Sequence, residues 1–305
     1  MTIESTPAST AASRTEAGTM VGAIRWMQSR AAAANVICRI RLPRTQSMMV
    51  TAACRESAVT DVAVDSLLQL RDLSNLAGVS SILILRPQAR FELNCLQQFE
   101  SSVTLISTID HFAQAEKLIA HHPRTPTGVF IRLKNSDPGI GIRPGMDALQ
   151  LAQGVTQLSG VCVQGLLFDS HDGDSALQAA MSTRNLILQS GIDCSALCMQ
   201  VPADSSLQNG MSATEVVADV DTQSQLVSEA TVSCTAEVIS RPSLSCVGIA
   251  IPDVALIGRS LVLPDIPEAT VVGWCNDCCV INATGDAARL TIGDSVTVQS
   301  RIRHA

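Results

Sequence analysis

Amines, phenols, imidazoles and thiols carry most side-chain chemistry, and this chain supplies them unevenly. Its 305 residues include no tyrosine, and its 21 cationic residues include only two lysines, Lys117 and Lys134. Phenol chemistry is excluded, and an amine nucleophile has two side-chain candidates. Lys134 directly follows an apolar run, in Leu133-Lys134-Asn135-Ser136-Asp137, so it is a catalytic candidate or an ordinary loop lysine. Lys117 follows Glu116 in a helical stretch and reads as solvated. His171, in Asp169-Ser170-His171-Asp172, also follows an apolar run. It can contact a ligand, do acid–base work, or simply pair with a neighbouring aspartate. His121-His122-Pro123 reads as a helix end whose cations suit the helix dipole.

The eleven cysteines run from Cys38 to Cys279. Their number is odd and no export signal is visible, so they read as reduced, small, core-filling residues. The one Cys-x-x-Cys is Cys275-Asn276-Asp277-Cys278, followed by Cys279. A thiol or metal role is open there. However, zinc generally takes four ligands, and no second Cys-x-x-Cys accompanies it. A redox Cys-x-x-Cys usually opens a helix, and this one lies in strand-like text.

The elements that would position these groups follow from periodicity. Eight short apolar runs recur: Val36–Ile40, Val62–Val64, Ser81–Leu85, Val103–Ser107, Val129–Leu133, Val161–Phe168, Ala196–Val201 and Val216–Val220. Helical stretches alternate with them. Asp65 or Ser66 is expected to cap a helix from Leu67 to Leu76, ended by Gly78. Asp110 opens another before Pro123, and Pro144-Gly145 precedes the stripe Met146, Leu149, Ala152 and Val155. Asp174 opens one that Gly191 closes. Eight such units predict a TIM-type (β/α)8 barrel, with a doubly wound open sheet as the competitor. From about Thr231 the helical stripes stop and alternating strands take over, predicting a C-terminal antiparallel β domain. The expected layout is a mobile tail over 1–17, a barrel over 18–230 and a β domain over 231–305.

Hydrophobic residues make up 46% and charged residues 16%, enough to bury a large core. The formal charge is −7, with no basic run, which argues against nucleic acid. No apolar stretch approaches membrane-spanning length, so a cytoplasmic protein is expected.

Local text gives this order of parts a relative. Gly141-Ile142-Arg143-Pro144-Gly145 before Asp147–Ala152, Gly165–His171, Ala236–Pro242, and Gly293-Asp294 before Val296–Val298 occur in sequence. Together they resemble the D-threonine aldolase and D-serine dehydratase group of fold-type III pyridoxal-phosphate (PLP) enzymes, which have an alanine racemase-like barrel. The resemblance implies PLP, lyase chemistry on D-threonine or D-serine, and a monomer or homodimer. The implied catalytic parts carry over poorly. Arg44-Thr45-Gln46-Ser47 stands where the family has its Schiff-base lysine, and a guanidinium stays protonated and cannot form an aldimine. Val201-Pro202-Ala203-Asp204-Ser205-Ser206 stands in place of the glycine-rich phosphate loop, and Asn276-Asp277-Cys278-Cys279 in place of a metal-binding histidine run. The resemblance thus leaves Arg44, His171 and Ser205 as cofactor-contacting candidates and His171 and Lys134 as catalytic ones, with no metal and no covalent PLP expected. The alternatives are a non-catalytic barrel that binds a small anionic ligand or a partner, and a thiol or metal role at Cys275–Cys279.

Overall fold

The computed structural model describes residues 20–29, 31–32, 37–42, 47–69, 78–94, 103–121, 127–134, 139–169, 173–201, 215–219, 233–253 and 256–300. The first 19 residues, and with them the expected tail, lie outside the described residues.

Eight parallel strands close into a barrel: β1 (Ile37–Leu42), β2 (Asp61–Val64), β3 (Ser81–Ile84), β4 (Thr104–Ile109), β5 (Thr127–Arg132), β6 (Val161–Asp169), β7 (Ala196–Val201) and β8 (Glu215–Asp219). Closure is made by β1 on β8, where Cys38 pairs with Val216 and Ile40 with Ala218. Each strand lies on one of the eight apolar runs. The described helices between them are Ser47–Glu56, Arg90–Leu93, Phe112–His121, Met146–Thr156 and Gly173–Gln189, after β1, β3, β4, β5 and β6. After β2 only a 3-10 turn, Leu67–Gln69, is described, so the expected helix out to Leu76 falls largely outside the described residues.

The pleat separates two cores. Ile40, Leu42, Val62, Val64, Ile82 and Ile84 face outward and pack with Ala53, Leu118, Ala148, Ala152 and Ala180 of the helices. Ala63, Leu83, Leu85, Ile106, Phe130, Leu167, Cys198 and Val217 fill the lumen. The lumen is therefore packed rather than hollow, as in other parallel barrels.

Capping differs from the sequence expectation. Neither Asp65 nor Ser66 caps the turn after β2 with its side chain. Their backbone N–H groups both donate to the Gln69 side-chain oxygen, at 2.7 and 3.1 Å. After β4 the same device recurs, with Asp110 and His111 N–H groups on Gln114 Oε1 at 2.7 and 3.0 Å. In both junctions the glutamine satisfies the orphan donors, which leaves the preceding aspartate for contacts elsewhere.

The rest of the chain forms a six-stranded antiparallel sheet in the order β11-β14-β9-β10-β13-β12. Its strands are β9 (Ser233–Ser243), β10 (Cys246–Ala250), β11 (Leu261–Val262), β12 (Val271–Cys275), β13 (Cys278–Asn282) and β14 (Ser295–Ser300). Four of these, β9, β12, β13 and β14, fall on the alternating stretches Thr231–Ile239, Ala269–Trp274, Cys279–Ile281 and Val296–Val298, while β10 and β11 fall outside them. Val-Gly-Ile-Ala in β10 is buried on both faces, so it shows no alternation to read.

This sheet sits over the carboxyl ends of the barrel strands. Glu237 of β9 accepts from the Arg90 N–H at 2.8 Å and pairs with Lys117 at 3.2 Å. The Gln114 amide donates to Ile239 O at 2.7 Å, and Ser240 Oγ donates to Asp110. A shared apolar seam joins Ala89 and Ile140 of the barrel side to Ile239, Cys246, Ala250, Cys278 and Val280.

Candidate functional site

Inward-facing positions alternate along each barrel strand, so residues two apart share the lumen. At the amino end of β1 this brings Arg39 inward. Its Nε is 2.7 Å from Glu215 of β8, with Asp61 of β2 3.6 Å away and Ser81 of β3 also bonded. Arg39 is buried, and these contacts close the floor of the barrel. Residues at this end of a parallel barrel serve stability.

Two residues further along β1, Arg41 reaches the carboxyl end and pairs with buried Asp65 at 2.7 Å. Arg132, at the end of β5, is the second cation there. One of its terminal nitrogens donates to Asp169 at 2.6 Å and to Cys275 Sγ at 3.3 Å, and the other to Leu85 O at 2.8 Å. The Arg132 side chain is 1% exposed. Its Nε is buried with no hydrogen-bond acceptor among the described residues. This is the end of the barrel where ligands bind in such folds.

The mouth also holds part of the other sheet. Asn276 and Asp277 have φ of 46° and 59°. Two successive left-handed residues make a tight two-residue hairpin turn whose twist suits the flanking strands. That turn joins β12 to β13 and reaches the barrel. Asn276 exchanges hydrogen bonds with Gln200 of β7 at 3.2 and 3.3 Å, and donates to Leu85 O at 3.5 Å. Burial pushes the Cys275 thiol above its ordinary range, more strongly than the Arg132 and Arg41 guanidiniums pull it down.

Of the residues singled out in the sequence, Lys134 lies just beyond β5, at the same end as Arg132. Its N–H donates to Ile142 O at 2.9 Å, and Gly141 at φ +129° packs against its Cβ. Arg44, His171 and Ser205 lie outside the described residues. Lys117 is on the helix Phe112–His121, tied to Glu237. Cys275 and Cys278 flank the mouth turn. Among the described residues, no three His, Cys, Asp or Glu side chains group in a way that could hold a metal ion.

Sequence reasoning missed Arg41 and Arg132. The signal was present for Arg41: Arg39 and Arg41 alternate with Ile40 and Leu42, a period-two pattern that turns charge into the lumen. Arg132 was hidden because it lies within an otherwise apolar run.

A barrel of parallel strands capped at its carboxyl end by an antiparallel sheet is the alanine racemase-like architecture. No protein-family model matches the chain, and no curated protein matches it. Solved structures do. A D-threonine aldolase from Filomicrobium marinum is 18% identical, with TM-score 0.53, over 93% of this chain and 84% of that one. A D-threo-3-hydroxyaspartate dehydratase from Delftia sp. HT23 is 17% identical, with TM-score 0.54, over 92% and 87%. An alanine racemase-like protein from Idiomarina loihiensis is 16% identical, with TM-score 0.54, over 93% and 87%. The chain therefore has the fold of the fold-type III group.

Proposed function

We propose that this chain is a divergent homologue of PLP-dependent D-amino-acid aldolases and dehydratases that keeps their fold, has lost aldimine chemistry, and binds a small anionic ligand at the barrel mouth. The same reading extends the described barrel to a full (β/α)8 over 18–230, with a tail over 1–17 and a β domain over 231–305. It also makes the protein a cytoplasmic monomer or homodimer without nucleic-acid or membrane partners. In support of the last point, no helix among the described residues is long and apolar enough to cross a membrane.

Among the described residues, the inward side chains of β1 and β5 do not fit a covalently held PLP. An internal aldimine needs a lysine amine directed into the lumen. The cations directed there from β1 and β5 are guanidiniums, Arg41 and Arg132, which do not release their protons near neutral pH. Lys117 is held by Glu237 outside the lumen. The turn at Asn276 spans from the end of β3 to β7 across the mouth, bonded to Leu85 O and Gln200.

The observation that carries the anion reading is the Arg132 Nε, a buried donor without an acceptor among the described residues. Leaving such a donor unsatisfied costs about 1–3 kcal/mol, and a small carboxylate or phosphate supplies the missing acceptor. Purified protein mixed with PLP should show no visible aldimine absorbance and no borohydride-reducible adduct. Inorganic phosphate or acetate should raise its melting temperature, and Arg132→Leu should remove that rise. A reducible adduct in the wild type, lost in Lys134→Ala, would overturn the proposal by placing the chemistry on the lysine beyond β5.

A further inference from the structure

Two thiols at the mouth face each other across the turn. Cys275 ends β12, Cys278 opens β13, and the two are direct cross-strand partners. Directly opposed residues of an antiparallel pair have Cα atoms about 4.5–5.5 Å apart, inside the span of about 4.4–6.8 Å that a disulfide bridges. Both side chains lie on the sheet face turned toward the barrel, Cys278 inside the seam and Cys275 packed against it. No other described strand pairing sets two cysteines opposite one another.

Guanidiniums flank the pair. Arg132 donates to Cys275 Sγ at 3.3 Å. Burial pushes the Cys278 thiol well above its ordinary range, and the charge of buried Arg86 offsets only part of that. Cys275 is half-buried while Cys278 is fully buried, so an oxidant from solvent reaches Cys275 first.

We infer that Cys275 and Cys278 are a redox pair which a hydroperoxide closes into a disulfide across the turn. The inference is independent of whether an anion binds Arg132. In the first step Cys275 gives up its proton and its sulfur attacks a peroxide oxygen. The S–O bond forms, the O–O bond breaks, and the departing oxygen takes the proton and leaves as water or an alcohol. In the second step the Cys278 sulfur displaces the sulfenic hydroxyl. The S–S bond forms, the S–O bond breaks, and the hydroxyl leaves as water with the Cys278 proton. Two thiols lose two electrons and two protons, and the hydroperoxide is reduced by the same two electrons.

Directly opposed cross-strand Cβ atoms lie about 4.5–5.5 Å apart, against about 3.8 Å in relaxed disulfides. Closing the bond draws the strands together, and strained disulfides are the easily reduced ones. The pair should therefore reopen with dithiothreitol.

The test is peptide mapping of the full chain after hydrogen peroxide, with free thiols blocked by iodoacetamide and digestion without reduction. The expected result is a peptide containing 275–279 in which Cys275 and Cys278 are together lighter by two hydrogens and unalkylated, while fragment sequencing places the single alkyl group on Cys279. It should revert with dithiothreitol, vanish in Cys275→Ser and in Cys278→Ser, and persist in Cys162→Ser, which removes an exposed thiol. The inference fails if both cysteines are alkylated while Cys162 is oxidised. It also fails if Cys275 stops at a sulfinic acid, or if Cys278 links to Cys246 of the same seam. The wild-type map alone separates these outcomes, so a variant that fails to fold leaves the test intact.

Discussion

Arg86 and Glu92 are both fully buried, and their side chains meet at 2.7 and 2.9 Å. A buried charge must be paired and hydrogen-bonded to be tolerated. The Arg86 guanidinium also donates to Pro87 O, and Glu92 accepts the Ala89 N–H at 2.9 Å, so the carboxylate serves both the ion pair and the start of its own helix. Removing one partner leaves the other charge stranded. Glu92→Gln should therefore lower the unfolding free energy by about 3–5 kcal/mol, read from urea denaturation. Replacing both, as Arg86→Met with Glu92→Leu, should cost clearly less, because it removes the buried charge together with its partner. A double variant as unstable as the single one would show that the pair matters through its backbone contacts instead. The lumen cations differ from this pair: Asp65 is buried beside the partly exposed Arg41, and Asp169 is about a third exposed beside the buried Arg132. Solvent reaches one member of each, which suits a mouth better than a core.

The barrel strands follow from short runs rich in Val, Ile and Leu, buried on both faces along β2, β3 and β5, and such runs make the eight strands legible in the amino-acid sequence. Gly165 in β6 shows how tightly they pack. A Cβ there would meet the Ala196 Cβ at 2.7 Å and Phe130 at 2.8 Å, with the Ala196 carbonyl closer still. The neighbours are backbone and lumen ring, neither of which can swing away. Gly165→Ala should destabilise by about 1–3 kcal/mol, visible as a lower thermal midpoint with helix content retained below it. An unchanged midpoint would mean that β6 and β7 separate freely, contrary to their parallel register. The site is less legible than the strands for a related reason. Arg39 meets Glu215 across 176 residues, and Arg132 meets Cys275 across 143. Such meetings depend on barrel closure and on how the second sheet settles, and neither leaves a local spacing to read. The Cys-x-x-Cys is legible as a motif near a turn. What it turns into, a hairpin in the mouth of its own barrel, is not.

At the scale of the whole molecule, barrel and antiparallel sheet share one seam, and its polar contacts come from β9 and from the turn between β12 and β13. Asp110 lies in that seam. It accepts from the Gln114 amide at 2.6 Å, from the Gly141 N–H at 3.0 Å, and from Ser240 of the other sheet. Burial raises its pKa, and the hydrogen bonds from Ser240, Gln114 and Gly141 offset only part of that. The sign of the effect on stability follows. The folded chain keeps this proton to higher pH than the unfolded chain, whose aspartate titrates near about 3.9. Stability from Asp110 is therefore full below that value and is lost as pH rises through the folded pKa. Two outcomes are expected in calorimetry of the full chain. It should unfold in a single transition, because separating the sheets exposes the apolar seam around Ile140 and Cys278 and strands Asp110 and Glu237. Asp110→Asn should abolish one component of the pH slope, so that its stability relative to the wild type rises with pH above about 3.9. Two resolved transitions would show that the sheets fold independently. A stability difference that stays constant across pH would show that Asp110 is ionised in the folded chain as readily as in the unfolded one, and the seam would then hold a charge rather than a proton.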